Sequence, residues 1–590
     1  MRRALSHHRA LTALPIIDAM ASGSGRKSSR LPRNSRRIKI AANAEVDTAI
    51  QNSLKSNIWM RWKIIAAASS IAILTALVWY PALHFGFVYD DHLQIESNRQ
   101  LQSWSGLRQA LHQPLWTQLG PEKASPYYRP LFVLVLFMQH SLFGLNPLLW
   151  HLVSIGLHIL VALALFLFLF LQFDRLLPAW IGACIFACSP LATEVVCWIS
   201  ACSESLYTLL FLCALCCLAL SRRVQTTSIT LALRLFSACA LALAAFAKET
   251  AIIAVILVLA YEYFFLVGKP RLKMILVYTP LMLPLGVYLW IHPPIRHTDT
   301  RTISHALSTT PNLWLLAFQK LVWPMPVSEF YDLWIDQAHS LTSLALHICL
   351  LICILVATLW LGLRSKFTAW TLAVVVFPLV VVAAGSFFLR DYDLFHDRYL
   401  YLSATGAAML IAVLIDRTGA RPQLRLITAA IVAFVLCFEV WQSRIAAQQF
   451  RDDASLFSHA VEIAPNNIVA LQLLAETAIG QRDCPSAIKA YQRAQLLRPD
   501  LWETSFFLGI GYLRCGKSVQ AGYAFGHAAI VPSATTEEAA LAWYELGRIN
   551  LAQQDVVGAL TALHKAASLD PDSRKIQILL TQIPSEQQHR

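Results

Sequence analysis

Residues 147–171 read PLLWHLVSIGLHILVALALFLFLFL, an apolar run without a single Asp, Glu, Lys or Arg. About 20 apolar residues in an α-helix are enough to cross the hydrocarbon core of a bilayer. Runs of this kind recur along the 590-residue chain, which is 57% hydrophobic and only 14% charged. This composition excludes an ordinary soluble domain and predicts an all-α, multi-pass membrane protein.

Eleven membrane spans are predicted from the apolar runs, and the first is too long and too far from the N-terminus for a cleaved signal peptide. The spans lie at about 62–83, 147–171, 179–198, 204–220, 228–246, 250–267, 274–291, 341–363, 367–385, 400–416 and 426–443. Lys and Arg cluster in loops that this count places on the same side as the N-terminal tail, and the positive-inside rule makes that side cytosolic. An odd number of spans then puts the C-terminus on the outer side.

Two shorter apolar stretches, residues 130–143 and 313–323, are predicted to lie along or re-enter the outer membrane interface rather than to cross. Counting the first of them as a span would move the basic pair Arg222 and Arg223 to the outer side. The outer loops are then 84–146, 292–340 and 386–399.

The positive charge of the chain is concentrated at its N-terminus. Residues 1–63 hold 13 Lys and Arg against three acidic residues, within a net charge of +13 for the whole chain. A basic, Ser-rich segment such as residues 23–39 cannot bury enough apolar surface to fold. We therefore interpret residues 1–60 as a disordered cytosolic tail that contacts anionic lipids, and we expect no nucleic-acid partner. Met20 and Met60 are alternative start positions.

After a predicted transmembrane domain at 61–445, the composition becomes mixed and a repeat appears over residues 450–590. Prolines recur at Pro465, Pro499, Pro532 and Pro571, with spacings of 34, 33 and 39 residues. Small and large apolar residues alternate between them as in tetratricopeptide repeats, whose period of about 34 residues marks a solenoid of helical hairpins. Three full repeats and one partial repeat are predicted.

Cysteine usage points to packing rather than to a metal framework. Of the 13 cysteines, eleven lie in or beside apolar runs, where they act as small hydrophobic residues. Cys484 and Cys515 lie in the C-terminal region and would form a disulfide if that region faces an oxidising compartment. His396 with Asp397 is too small a group for a metal site, so we expect no required metal and no cofactor.

An ordered set of short motifs resembles the transmembrane, tetratricopeptide-repeat-containing protein O-mannosyltransferases and their bacterial relatives, in the GT-C superfamily. The motifs are FVYDDH (87–92), YYRPL (127–131), LFGLNP (142–147), PLATEVVCWIS (190–200), AKET (247–250) and HDRYLYL (396–402), followed by the repeats. The resemblance covers the chain from about residue 60. It implies a GT-C-like helical bundle of about 11 spans that transfers a hexose, typically mannose, from a polyprenyl-phosphate carrier to protein Ser or Thr hydroxyls at the outer face.

The resemblance implies that an acidic residue of the first outer loop is the general base that activates the acceptor hydroxyl. Asp90 and Asp91 are the candidates, and we favour Asp91, with Asp90 orienting it. A purely structural alternative is that the pair forms an N-cap or a turn for the helix that follows, because Asp is favoured at such positions.

The leaving phosphate needs a fixed positive charge near the headgroups, and Arg suits phosphate oxygens. Arg398 is the first candidate, unless it pairs with Asp397 or Asp391, and Arg129 is the second, unless it only anchors the interface.

Four further residues are predicted to contact the sugar or to line the site: Glu194, Lys248, Glu249 and His396. Adjacent Lys248 and Glu249 are expected to pair with each other, and the alternative for Glu194 is a packing role.

Departures from the family pattern keep other functions open. The family usually has His-Pro-Leu-His-Thr-Glu where this chain has SPLATE (189–194), and Gly-Arg-Lys-Asp where it has ACSE (201–204). A diverged or inactive member, a membrane-anchored scaffold that binds partner proteins through the repeats, and a glycan-elongating transferase using the same type of carrier are the alternatives. The chain has no Asn-x-Ser/Thr sequon, which favours a bacterial inner membrane with the C-terminal region outside.

Overall fold

In the computed structural model, the described residues are mostly helical, with short turns and irregular segments between the helices, and contain no β-strand. They comprise residues 58–120, 125, 127–267, 276–281, 283, 286–287, 290, 303–332, 341–385, 394–418 and 422–583. The predicted tail 1–60 therefore lies almost wholly outside them, as does much of the predicted span 274–291.

The first part of the chain is built from long apolar helices and shorter connecting ones. Their bounds are α1 Ile58–His84, α2 Trp104–Ala110, α3 Pro130–Phe143, α4 Pro147–Phe173, α5 Leu176–Cys188, α6 Thr193–Cys197, α7 Cys202–Ser221, α8 Thr227–Ala247, α9 Ala251–Glu262, α10 Ile303–Val322, α11 Leu341–Gly362, α12 Lys366–Gly385, α13 Tyr401–Thr418 and α14 Arg425–Ala447.

Six helical stretches of the described residues are long and apolar enough to cross a membrane, or seven if a bent pair counts as one span. The chain is therefore a multi-pass helical membrane protein. The predicted spans 250–267, 341–363 and 367–385 fall on shorter apolar helices, Ala251–Phe265, Ile348–Gly362 and Lys366–Val380. The count of eleven spans stays a prediction.

The spanning helices divide into inner and outer ones by burial. The stretches Ile199–Ser221 and Asp397–Thr418 are each 67% buried over their apolar window, whereas Arg425–Arg451 is only 11% buried. Helices α4, α5, α7 and α13 pack together at the centre. Gly406 of α13 lets α12 approach closely, because a Cβ there would lie 2.8 Å from the backbone nitrogen of Val375.

The bent pair forms a break in the middle of the bundle. Residues Leu176–Cys188 and Pro190–Cys197 meet at 53°, and Pro190 explains the bend because it has no N–H to continue the hydrogen-bond ladder of α5. Every residue from 189 to 205 is buried. Irregular backbone at membrane depth is tolerated where protein surrounds it, and this broken segment carries much of the site.

The last part of the chain is an array of helices in which each packs on the next. The helices are α15 Asp453–Ile463, α16 Ile468–Gly480, α17 Cys484–Leu497, α18 Trp502–Arg514, α19 Ser518–Ala528, α20 Thr536–Ala552, α21 Val556–Leu569 and α22 Arg574–Thr581. Small residues face large ones within the pairs, as where a Cβ on Gly509 would meet the Phe525 ring at 2.8 Å. Cys484 and Cys515 form the predicted disulfide, with their Cα atoms 5.7 Å apart.

Candidate active site

Asp91 is fully buried and its carboxylate holds two chain segments together. Oδ1 accepts the Ser200 N–H at 2.9 Å and the Ser200 hydroxyl at 2.5 Å, while Oδ2 accepts the Val88 N–H at 3.3 Å. Burial raises the pKa of Asp91 to about 6, and the hydrogen bonds from Ser200 and Val88 oppose that rise. Asp91 occupies the N-cap position of the helical turn that follows, but its side chain makes no capping bond to that turn. Its local bond is instead the one from the Val88 N–H, three residues earlier in the chain.

Tyr89, just before the acidic pair, has a backbone that non-glycine residues rarely adopt. Its φ is +54°, in the left-handed region. Its ring packs against those of Trp198, Phe330 and Phe457, with centroid distances of 5.5, 6.2 and 5.8 Å. Asp90 follows directly and is half-buried, so it is the more accessible of the two aspartates.

Arg398 lies between two buried carboxylates. Its Nη1 donates to Glu194 Oε1 and, at 2.8 Å, to Glu329 Oε1, and its backbone N–H donates to Glu194 Oε2 at 2.9 Å. The expected alternative partner Asp397 instead accepts the Tyr331 hydroxyl at 2.5 Å, and Asp391 lies outside the described residues. The guanidinium also stacks over the Trp198 ring at 4.8 Å.

His396 completes this cluster by contacting Glu329. Its Nδ1 lies 2.8 Å from the Glu329 carbonyl oxygen and 3.1 Å from Oε1. Burial opposes ionisation of Glu329, but the charges of Arg398 and His396 lower its pKa to about 2. Glu329 Oε2 accepts no hydrogen bond from the described residues.

The donor atoms of Glu194, Glu329 and His396 lie within 4.8 Å of one another, which is close enough for a metal ion. However, Nη1 of Arg398 already donates to both carboxylates. An arginine therefore supplies the positive charge that a cation would bring, and the expectation that no metal is required stays a prediction.

A second group of charges has partners other than those predicted. Lys248 pairs with Glu204, and Glu249 accepts from Arg129 Nε at 2.8 Å and Nη2 at 2.6 Å. The expected Lys248–Glu249 pair is thus wrong, because neighbouring residues at a helix end reach different elements. Burial favours the neutral form of Glu249, but the charge and hydrogen bonds of Arg129 hold its pKa below the ordinary value. Burial lowers the pKa of Lys248, and the charge of Glu204 opposes this.

The broken segment joins these groups into one site. Ser200 bonds Asp91, and two residues earlier Trp198 stacks on both Tyr89 and Arg398. On the far side of Arg398, the Tyr399 ring lies 5.2 Å from its guanidinium and 5.5 Å from the Lys248 ammonium.

The structure thus brings together five predicted site residues: Asp90, Asp91, Glu194, His396 and Arg398. Lys248 lies beside them across the Tyr399 ring. Glu249, the next residue after Lys248, pairs with Arg129. Sequence reasoning missed Glu329, which lies in the predicted outer loop 292–340. That loop holds several acidic residues, and no spacing singles Glu329 out.

These features define a polytopic helical membrane protein with a buried acid–base cluster beside a C-terminal helical array. No family model matches the chain. It is 22% identical to mouse protein O-mannosyl-transferase TMTC3 over 498 residues, covering 76% of this chain and 53% of that protein. The human TMTC3 protein is 22% identical over 475 residues, covering 73% of this chain and 51% of its own.

A shorter segment is more similar to another relative: human protein O-mannosyl-transferase TMTC1 is 33% identical over 151 residues, which are 25% of this chain and 17% of that protein. The chain spans about half the length of the TMTC3 relatives. The predicted resemblance is confirmed, since the chain is a homologue of the TMTC group of protein O-mannosyl-transferases.

Proposed function

We propose that the chain is an integral-membrane glycosyltransferase that moves mannose from a polyprenyl-phosphate carrier to a Ser or Thr hydroxyl of a protein, at the outer face. The observation that carries the proposal is the link from the acidic loop to the cation: Ser200 bonds Asp91 while Trp198 stacks on Arg398. A base and a phosphate-binding cation in one site are what transfer from a glycosyl phosphate requires.

We propose Asp90 as the base and Asp91 as the residue that positions it, which reverses the preference drawn from the resemblance. A base must come within hydrogen-bond reach of the proton that it takes. Asp91 is 0% exposed and already accepts three hydrogen bonds, whereas Asp90 is half-buried.

In the proposed reaction the acceptor oxygen forms a bond to C1 of the sugar as the bond from C1 to the phosphate oxygen breaks. The hydroxyl proton passes to Asp90, and the polyprenyl phosphate leaves with the bonding electrons, which inverts the configuration at C1. Within the described residues Arg398 makes no hydrogen bond through Nε or Nη2, so these donors are offered to the phosphate. Arg129, already held by Glu249, is a second cation for the same charge.

The sugar would be held by the buried carboxylates. Glu329 Oε2 has no donor among the described residues, and leaving a buried acceptor unsatisfied is costly. A sugar hydroxyl would supply that donor. Arg398 links Glu194 to Glu329, and His396 contacts Glu329 directly through Nδ1.

We propose that the C-terminal helices form a tetratricopeptide solenoid on the outer side that recruits the acceptor protein. The Cys484–Cys515 disulfide supports an oxidising compartment. The array also bonds the acidic loop through Asp453 and Tyr89, so the two belong to the same side of the membrane. A bacterial inner membrane, with the array in the periplasm, fits both observations.

The test uses the full chain in lipid nanodiscs with radiolabelled polyprenyl-phosphate mannose or glucose and a peptide library. We expect transfer of mannose to Ser or Thr, and a loss of about 100-fold or more in Asp90→Asn. Asp174→Asn is the matched control, because Asp174 lies on an exposed turn after α4 and Asn tolerates its positive φ.

If Asp90→Asn transferred sugar at the native rate, Asp90 would not be the base. Peptide binding by native protein without transfer from either donor would indicate a scaffold instead. Label that appears only on added glycans would indicate an elongating transferase.

A further inference from the structure

The first helix of the C-terminal array bonds the loop that carries the acidic pair. α15 begins at Asp453, whose Oδ1 accepts the Tyr89 N–H at 2.9 Å and whose Oδ2 lies 2.9 Å from Nε2 of His92. Tyr89 and His92 flank Asp90 and Asp91 in the sequence. One carboxylate of the array therefore holds the loop on both sides of the candidate base.

The bond to Tyr89 falls where the backbone is strained. A non-glycine residue at a φ of +54° persists only when its surroundings enforce that conformation, and such residues concentrate at functional sites. Part of the enforcement comes from the array, because Phe457 lies one turn after Asp453 on α15 and packs edge-on against the Tyr89 ring at 5.8 Å.

The same end of the array also holds the segment that carries Glu329. His459 Nε2 lies 3.0 Å from the carbonyl oxygen of Val327, and the Asn466 N–H donates to Asp332 Oδ2 at 3.2 Å. Both flanks of the Glu329 segment are thus tied to residues 459–466. The array contacts the acidic loop and the cluster around Arg398 at once.

The contact with the loop is charged. His92 lies between Asp453 on the array and Glu96 one turn along its own segment, and the charge of His92 also favours ionisation of Asp91. The hydrogen bonds that His92 donates to Asp453 and to Glu96 raise the pKa of His92 to about 9, against the effect of burial. His92 therefore carries a proton at neutral pH, and Asp453 accepts a charge-assisted hydrogen bond, which is stronger than a neutral one.

We propose that Asp453 is a positioning residue of the transfer site: it fixes the conformation of the loop at Tyr89 and His92, so that the C-terminal array sets the placement of Asp90. The structural part of this inference stands on the contacts alone, and only its effect on catalysis rests on the proposed function. α15, the first helix of the array that we propose to recruit the acceptor, also holds the loop that carries the base. Acceptor recruitment and placement of the base would therefore depend on the same helix.

Hydrogen exchange on the full chain in detergent tests the structural part. In Asp453→Ala we expect the amides of residues 86–96 to exchange at least about 10-fold faster, with those of residues 471–494 unchanged. Asp555→Asn is the matched control, because Asp555 caps α21 through the Gly558 N–H and is remote from the loop in sequence. Unchanged exchange in residues 86–96 would overturn the proposal.

A variant on the loop side guards against misfolding of the array. His92→Gln leaves α15 intact and should raise exchange of the same amides, and combining it with Asp453→Ala should add less than the two effects together. Fully additive effects would show that the two residues act separately and would overturn the proposal that Asp453 fixes the loop through His92.

Kinetics then test positioning. We expect Asp453→Ala to lower kcat about 10-fold or more with the acceptor KM within about twofold, and Asp453→Glu to restore part of kcat. A rise in acceptor KM with kcat unchanged would assign Asp453 to recruitment and overturn its positioning role. If native protein transfers no sugar, the proposed function fails, while the exchange result still decides whether Asp453 fixes the loop at Tyr89 and His92.

Discussion

Replacing Arg398 by Met should destabilise the protein strongly, because it strands two carboxylates. Nη1 of Arg398 donates to both Glu194 and Glu329, and each carboxylate side chain is 1% exposed. Breaking a buried ion pair by removing one partner costs roughly 3–5 kcal/mol. Loss of the stacking on Trp198 adds roughly 1 kcal/mol.

The control is an arginine in an exposed pair. Arg175 lies 3.0 Å from Asp416, and its side chain is 56% exposed. Exposed pairs contribute roughly 0–1 kcal/mol, so Arg175→Met should change the free energy of unfolding by less than about 1 kcal/mol. The free energy of unfolding of both variants is measured in nanodiscs by denaturant titration, with tryptophan fluorescence as the signal.

A double variant and a metal-binding experiment identify the cause of the lost unfolding free energy. Combining Arg398→Met with Glu329→Gln removes one stranded charge and should recover about half of the loss. Zn²⁺ should raise the melting temperature of Arg398→Met, where Glu194, Glu329 and His396 are left facing one another, and should leave native protein unchanged. If Arg398→Met loses no more unfolding free energy than Arg175→Met, or if a chelator lowers the melting temperature of native protein, then Arg398 is not the cation that balances Glu194 and Glu329.

Three further outcomes are expected. Gly406→Ala should cost about 1–3 kcal/mol, measured by unfolding, since its Cβ would meet the backbone of α12, while Gly156→Ala, with open space around it, should cost little. Changing Cys484 and Cys515 together to Ser should lower the free energy of unfolding of the C-terminal array by about 3.7 kcal/mol, because the bond closes a loop of about 31 residues. In the folded state the pKa of Asp91 is raised from 3.8 to about 6, so the folded protein binds a proton at Asp91 more tightly than the unfolded chain does. The free energy of unfolding should therefore rise by about 3 kcal/mol as the pH falls from about 6 to 3.8. Asp91→Asn should abolish this part of the rise, measured by unfolding at several pH values.

The sequence predicted the helical elements well because their cause is local. The run at 147–171 appears as α4, and the spans at 62–83, 204–220 and 228–246 fall on helices of similar bounds. Apolar length alone fixes such helices. The total number of spans is harder to predict, because a helix such as Ala251–Phe265 is short by the same measure.

The pairing of charges could not be read from the sequence. Lys248 and Glu249 are adjacent, yet one reaches Glu204 and the other Arg129, 44 and 120 residues away in the chain. These partners depend on which helix ends meet in space. Glu329 was missed for the same reason, since three separate segments supply its cluster.

The candidate site lies where regular structure is interrupted, and the two adjacent aspartates have different environments there: Asp91 is buried and Asp90 is half-buried. The carboxylate of Asp91 accepts hydrogen bonds from the N–H and the hydroxyl of buried Ser200. These bonds fix the end of the acidic loop against the helical bundle. Tyr89, on the other side, is fixed by the array. Asp90 lies between these two anchors and is half-buried, and a base needs both a fixed position and access to the acceptor hydroxyl.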